Sequence, residues 1–128
     1  MEETELEKKQ SEVRKLGTIR LQGKDYLQVA HRVLLFRLEH PNDAILTEFT
    51  TVAETVLCTC RIARDGNIVS TAHKSVQPGG EGPAGKYPME MAETGAIGRA
   101  LNLCGYGTLS GDLDEGDQIA DAPQKSRW

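Results

Sequence analysis

The stretch Thr55-Val56-Leu57-Cys58-Thr59-Cys60-Arg61-Ile62-Ala63-Arg64-Asp65-Gly66-Asn67-Ile68-Val69-Ser70-Thr71-Ala72-His73-Lys74-Ser75-Val76 decides the fold. Residues 55–64 alternate, with Val56, Cys58, Cys60 and Ile62 falling on one side, as in a half-buried strand. Asp65-Gly66 is a two-residue hairpin signal, because both positions of that turn need positive φ and these residues tolerate it. Residues 67–76 are then the return strand. Such a turn pairs Arg64 with Asn67, which sets Arg61 opposite Ser70, Leu57 opposite Lys74 and Cys58 opposite His73. One face is apolar, with Val56, Cys58, Cys60, Ile62 and Val69. The other carries Thr59, Arg61, Ser70 and Lys74, and is wet or holds a ligand.

Working outward, residues 44–52 are rich in β-branched side chains and supply a third strand. Upstream, Asp25 is a plausible N-cap for a helix running to about His40, with Tyr26, Val29, Ala30, Val33, Leu34 and Arg37 at helical spacing. Pro41-Asn42-Asp43 stops it. Leu16 to Leu21 makes a short strand before Gln22-Gly23. Downstream, 77–86 is a Gly/Pro-rich loop, and Pro88 opens a second helix that ends at Cys104-Gly105. Ala92, Ala96 and Ala100 form a small-residue ridge suited to close packing on a sheet. The expected fold is α+β: a small antiparallel β-β-β meander packed on one face by two helices, in the order β-α-β-β-β-α. The chain divides into a charged arm or helix at 1–16, a core domain at 17–109 and an acidic tail at 110–128.

The chain has 128 residues and a net charge of −4, yet the charge is uneven. Residues 17–110 carry nine acids and nine bases, while 111–128 carry five acids and two bases. A neutral core can hold a basic stripe, so a polyanion partner is compatible with the composition. No apolar run approaches the ~18–20 residues of a membrane helix. The acidic start Met1-Glu2-Glu3 has no secretory character. Three cysteines, at 58, 60 and 104, cannot all pair internally, which points to a reducing, cytoplasmic setting.

Several motifs fall short of chemistry. Gly80-Glu81-Gly82-Pro83-Ala84-Gly85-Lys86-Tyr87 has the glycine and lysine spacing of a phosphate-binding loop. Tyr87 stands where a magnesium-binding hydroxyl belongs, and no parallel strand precedes it. Cys58 and Cys60 lack a second close pair of metal ligands. Asp112, Asp114, Glu115 and Asp117 resemble the start of a calcium loop that has no closing Glu. No catalytic residue, metal or cofactor is expected. The cations are more informative. Arg99 stands in an otherwise small and apolar helix, and Arg32 poses the same question on the preceding one: a snorkelling or salt-bridged arginine, or a phosphate ligand.

The segment Met91-Ala92-Glu93-Thr94-Gly95-Ala96-Ile97-Gly98-Arg99-Ala100-Leu101-Asn102-Leu103-Cys104-Gly105-Tyr106-Gly107 resembles a helix signature of bacterial and phage single-strand annealing proteins, the DdrA-type relatives of the eukaryotic RAD-fifty-two repair protein. Tyr26-Leu27-Gln28-Val29-Ala30-His31-Arg32-Val33 resembles the helix that precedes the sheet in that family. The resemblance implies ATP-independent binding of single-stranded DNA and annealing of complementary strands in recombination and repair. It implies a homo-oligomeric ring or helical array in a bacterial or phage-infected cell. It also implies a groove in which Arg32 and Arg99 meet the DNA backbone. Arg61, Lys74, Lys86 and Arg37 complete the candidate DNA-binding set. Gly98 and Asn102 stand where the family often has further cations, so affinity per subunit is expected to be low and avidity to come from assembly. Few aromatics, 5% of the chain, fit backbone-led binding. The acidic segment 112–121 is a candidate competitor for the groove, or a recruiter of a replication or repair partner, with Trp128 as its anchor. Two alternatives are a double-stranded-RNA-binding-like module, disfavoured by the Pro88-Met89-Glu90 helix start, and a purely structural oligomer.

Overall fold

The computed structural model describes residues 2–21 and 23–107, so the tail and its acidic residues lie outside the described residues. Two helices and one hairpin precede the main sheet. Helix α1 spans Glu5–Gly17, β1 Thr18–Leu21, β2 Lys24–Leu27 and α2 Val29–Glu39. The sheet consists of β3 Ala44–Val52, β4 Thr55–Arg64 and β5 Asn67–Val76, and it is followed by a single turn α3 Pro83–Lys86 and by α4 Pro88–Leu103. The result is an α+β fold whose three-stranded antiparallel sheet, ordered β3-β4-β5, is packed by helices.

Helix α1 forms because Thr4 and Glu7 make a capping box. The Glu7 amide donates to Thr4 Oγ1 at 3.0 Å, and the Thr4 amide donates to Glu7 Oε1 at 3.4 Å. Acids in the first turn and bases in the last complement the helix dipole. α1 docks antiparallel on α2 through Gln10 Nε2, which donates to Glu39 Oε1 at 2.7 Å, and through Gly17. A Cβ on Gly17 would lie 2.3 Å from His31 Cγ, so only glycine lets the two elements approach this closely.

The β1–β2 hairpin corrects the expected element order. Gly23, at φ +78°, turns the chain, and Arg20 faces Asp25 across the pair, with Nη1 donating to Oδ1 at 3.4 Å. Asp25 is therefore a cross-strand partner and not a helix cap. Tyr26 and Leu27 leave the expected helix for a strand, where both are buried, and α2 begins only at Val29.

All three main strands have the expected bounds, and Asp65 (φ +52°) and Gly66 (φ +80°) make the expected turn. The register does not follow. Ala63 pairs with Ile68, but Ile62 pairs with Ser70, leaving Val69 as a bulge residue. Everything beyond it moves by one. Arg61 faces Thr71, Cys58 faces Lys74 and His73 faces Thr59. The slip puts Ala72 and Val76 on the core face in place of Thr71, His73 and Ser75, which is the arrangement that removes more apolar area from water. Ser70 moves inward too, and its hydroxyl donates to the carbonyl of Ala100 at 2.8 Å. Val69 is left exposed.

The core joins Cys58, Cys60, Ile62 and Val76 of the sheet to Leu35 and Phe36 of α2 and to Ala92, Ala96, Ala100 and Leu101 of α4. The alanine ridge packs as its spacing predicts, with all three alanines fully buried. Tyr106, beyond the end of α4, stacks edge-on against Phe36 and donates to Glu39 Oε2 at 2.8 Å. Burial first, and then the hydrogen bond and charge of Glu39, push the Tyr106 phenol up to about 12. The neutral phenol is thus the form that fits. Its stabilisation is present below the ordinary tyrosine value of 10.0 and is lost as pH rises through about 12. Tyr106→Phe should cost about 1–2 kcal/mol at neutral pH and should flatten that alkaline fall in stability. Urea unfolding at neutral and alkaline pH checks both.

Candidate nucleic-acid interface

The six candidate cations do not share one groove. Arg32 is fully buried on the core stripe of α2, with Val29, Leu35 and Phe36. Its Nε donates to the Leu27 carbonyl at 2.9 Å and its Nη1 to the Gly98 carbonyl at 3.0 Å, while the guanidinium lies 5.0 Å from the Tyr26 ring centre. One side chain therefore ties β2, α2 and α4 together. A phosphate could reach it only by displacing these contacts. Gly98 is small for the same reason: a Cβ there would lie 2.7 Å from Val29 Cγ2 and 3.3 Å from Arg32 Nη1.

Arg37 also turns inward, and its Nη1 donates to the carbonyl of Asp43. The buried Asp43 carboxylate accepts from Arg64 Nε at 2.7 Å, so the turn after α2 is held by two arginines. Arg61 lies on the sheet face away from α4, beside Glu48 Oε2 at 3.3 Å. The bulge separates it from Lys74, which lies on the helix-covered face opposite Cys58. The expected wet face bearing both Arg61 and Lys74 is thereby corrected.

Lys74, Lys86 and Arg99 all belong to the β5–loop–α4 unit. Arg99 reaches from α4 to the edge strand β5, its Nη1 donating to the His73 carbonyl at 3.1 Å, one residue from Lys74. Because β5 is the last strand, this bond also covers part of an open sheet edge. Lys86 is exposed on the loop that leads into α4.

That loop is closed upon itself. The Gly79 amide donates to the Gly85 carbonyl at 3.0 Å, and the Gly85 and Lys86 amides donate to Gly82 at 3.1 and 3.2 Å. A Cβ on Gly85 would lie 2.3 Å from backbone atoms of Gly80. The Gly85 and Lys86 amides, at the glycine–lysine end of the motif, are occupied, so the glycine-rich segment is a built turn and not a phosphate cradle.

The cysteines are free, and Cys58 and Cys60 are buried. Burial pushes the Cys60 thiol up to about 11, with the neighbouring Cys58, Cys104 and Glu93 adding to it, and it raises Cys58 as well. Both therefore stay protonated and act as small apolar fillers. Among the described residues, no three His, Cys, Asp or Glu side chains converge as metal ligands. None of the described helices is long and apolar enough to cross a membrane.

Sequence reasoning missed two surfaces. Leu46, Phe49 and Val52 are exposed along β3, which among the described residues pairs only with β4. An apolar groove of about 300 Å³ runs between α1 and α2, floored by Val13, Leu16, Leu34 and Leu38 and rimmed by Lys9 and Arg37. The chain matches no family model, no curated protein and no solved structure.

Proposed function

We propose that the chain binds single-stranded DNA without ATP and anneals complementary strands, acting as a homo-oligomeric ring or array. The observation that carries this reading is the α4 segment 91–107, whose sequence resembles the annealing-protein helix. Its single arginine, Arg99, sits at the sheet edge beside Lys74. The interface is β5, the loop and α4, with Lys74, Lys86 and Arg99 as its phosphate contacts. Arg32 builds the junction beneath α4 and does not itself touch the strand. Annealing needs neutralised backbones and accessible base edges, and it needs neither hydrolysis nor sequence readout. Three cations give weak binding per protomer, so the exposed β3 edge is the natural place for copies to join and supply avidity.

Fluorescence anisotropy with a labelled oligonucleotide across a salt series tests this. Three contacts to a single strand predict a log–log salt slope of about −2, and Lys86→Ala should make it shallower by about 0.7. Absence of binding at low salt overturns the proposal. A second reading, a purely structural oligomer, is favoured by the inward-turned Arg32 and Arg37. Assembly without oligonucleotide affinity would select it.

A further inference from the structure

We infer that Tyr87 is a stacking platform for one unpaired base and that the neighbouring Lys86 holds the adjoining phosphate. This rests on the single-strand reading and gives it a base contact. The chain has three tyrosines, and two of them, Tyr26 and Tyr106, are buried at 3% and 7% exposure. Tyr87 is 58% exposed, and among the described residues its hydroxyl makes no hydrogen bond. Lys86, the preceding residue, is exposed with no ion pair among the described residues. A fold that buries its other two tyrosine rings while leaving this one in water beside an exposed lysine presents both halves of a nucleotide contact: an apolar flat face and a point charge.

The platform is rigid. The Tyr87 amide donates to the Pro83 carbonyl at 2.8 Å, and its carbonyl accepts from the Met91 amide at 3.0 Å. The preceding turn is locked by Gly85 against Gly80. Little backbone freedom is left to lose on binding, which favours a ring that waits in place. One ring per protomer also leaves the remaining bases of a bound strand free to pair, as annealing requires.

The test uses the full chain with a short thymidine oligonucleotide and an abasic strand of equal length, at fixed low salt. The wild type should prefer the strand that has bases by about tenfold. Tyr87→Phe should keep that preference. Tyr87→Ala should abolish it while leaving abasic affinity and the melting temperature unchanged. Lys86→Ala should weaken both strands alike and make the salt slope shallower. Equal affinity of the wild type for the two strands, or a preference that survives Tyr87→Ala, overturns the stacking assignment while the single-strand reading stands. A wild type that binds neither strand overturns both, and binding of an acidic peptide at Tyr87 in place of either strand would reassign the surface to a protein partner.

Discussion

Arg32→Ala is expected to lower the stability of the fold by about 3–5 kcal/mol. The substitution leaves a cavity where a fully buried side chain stood. It also removes the donors that serve the Leu27 and Gly98 carbonyls, and a cation from the face of Tyr26. A domain of this size has about 5–15 kcal/mol in total, so most of its margin would go. Arg32→Lys should recover only part of the loss, because an ammonium lacks the planar fork that reaches two carbonyls at once. Urea unfolding followed by circular dichroism measures this. A variant that stays as stable as the wild type but no longer binds DNA would instead make Arg32 a phosphate ligand.

Gly98→Ala should destabilise by about 1–3 kcal/mol, the reverse of the usual helix effect. In an exposed helix interior the same change gains about 1 kcal/mol, since alanine has less backbone entropy to lose. Here the new methyl would press on Val29 and Arg32. The two substitutions share one contact, so Arg32→Ala combined with Gly98→Ala should cost less than the sum of the singles. Melting temperatures of the three variants decide it. A more stable Gly98→Ala would mean that α2 and α4 are not packed as described.

The bounds of the three main strands were legible because their signals are local, while the β4–β5 register was not. The Asp65-Gly66 turn and two alternating runs fix the strands with no help from the rest of the chain. The bulge at Val69 has no local turn signal; what selects it is the burial of Ala72 and Val76 that the one-residue slip brings about. The Thr4/Glu7 capping box was a further readable signal for α1. The first hairpin was harder. Asp25 before an apolar run looks like a helix cap; in the fold it lies in β2 opposite Arg20, and the strand buries the following Tyr26 and Leu27. For the candidate site, the helical face read from spacing, Val29-Ala30-Val33-Leu34, is not the buried one: Ala30 and Leu34 are exposed, and Arg32 takes the core stripe with Val29, Leu35 and Phe36. Its partners lie 5 and 66 residues away, and the distant one, the Gly98 carbonyl, has no sequence signature. Tyr87 escaped notice for a similar reason. An exposed ring and a buried one look the same until the packing is known.

The most direct test of the account is the rate at which two complementary oligonucleotides pair, followed by fluorescence quenching without nucleotide or divalent metal. The chain is predicted to accelerate pairing at low salt. The acceleration should fade as salt rises and should weaken in Lys86→Ala. A pairing rate at low salt equal to that of the strands alone would contradict it.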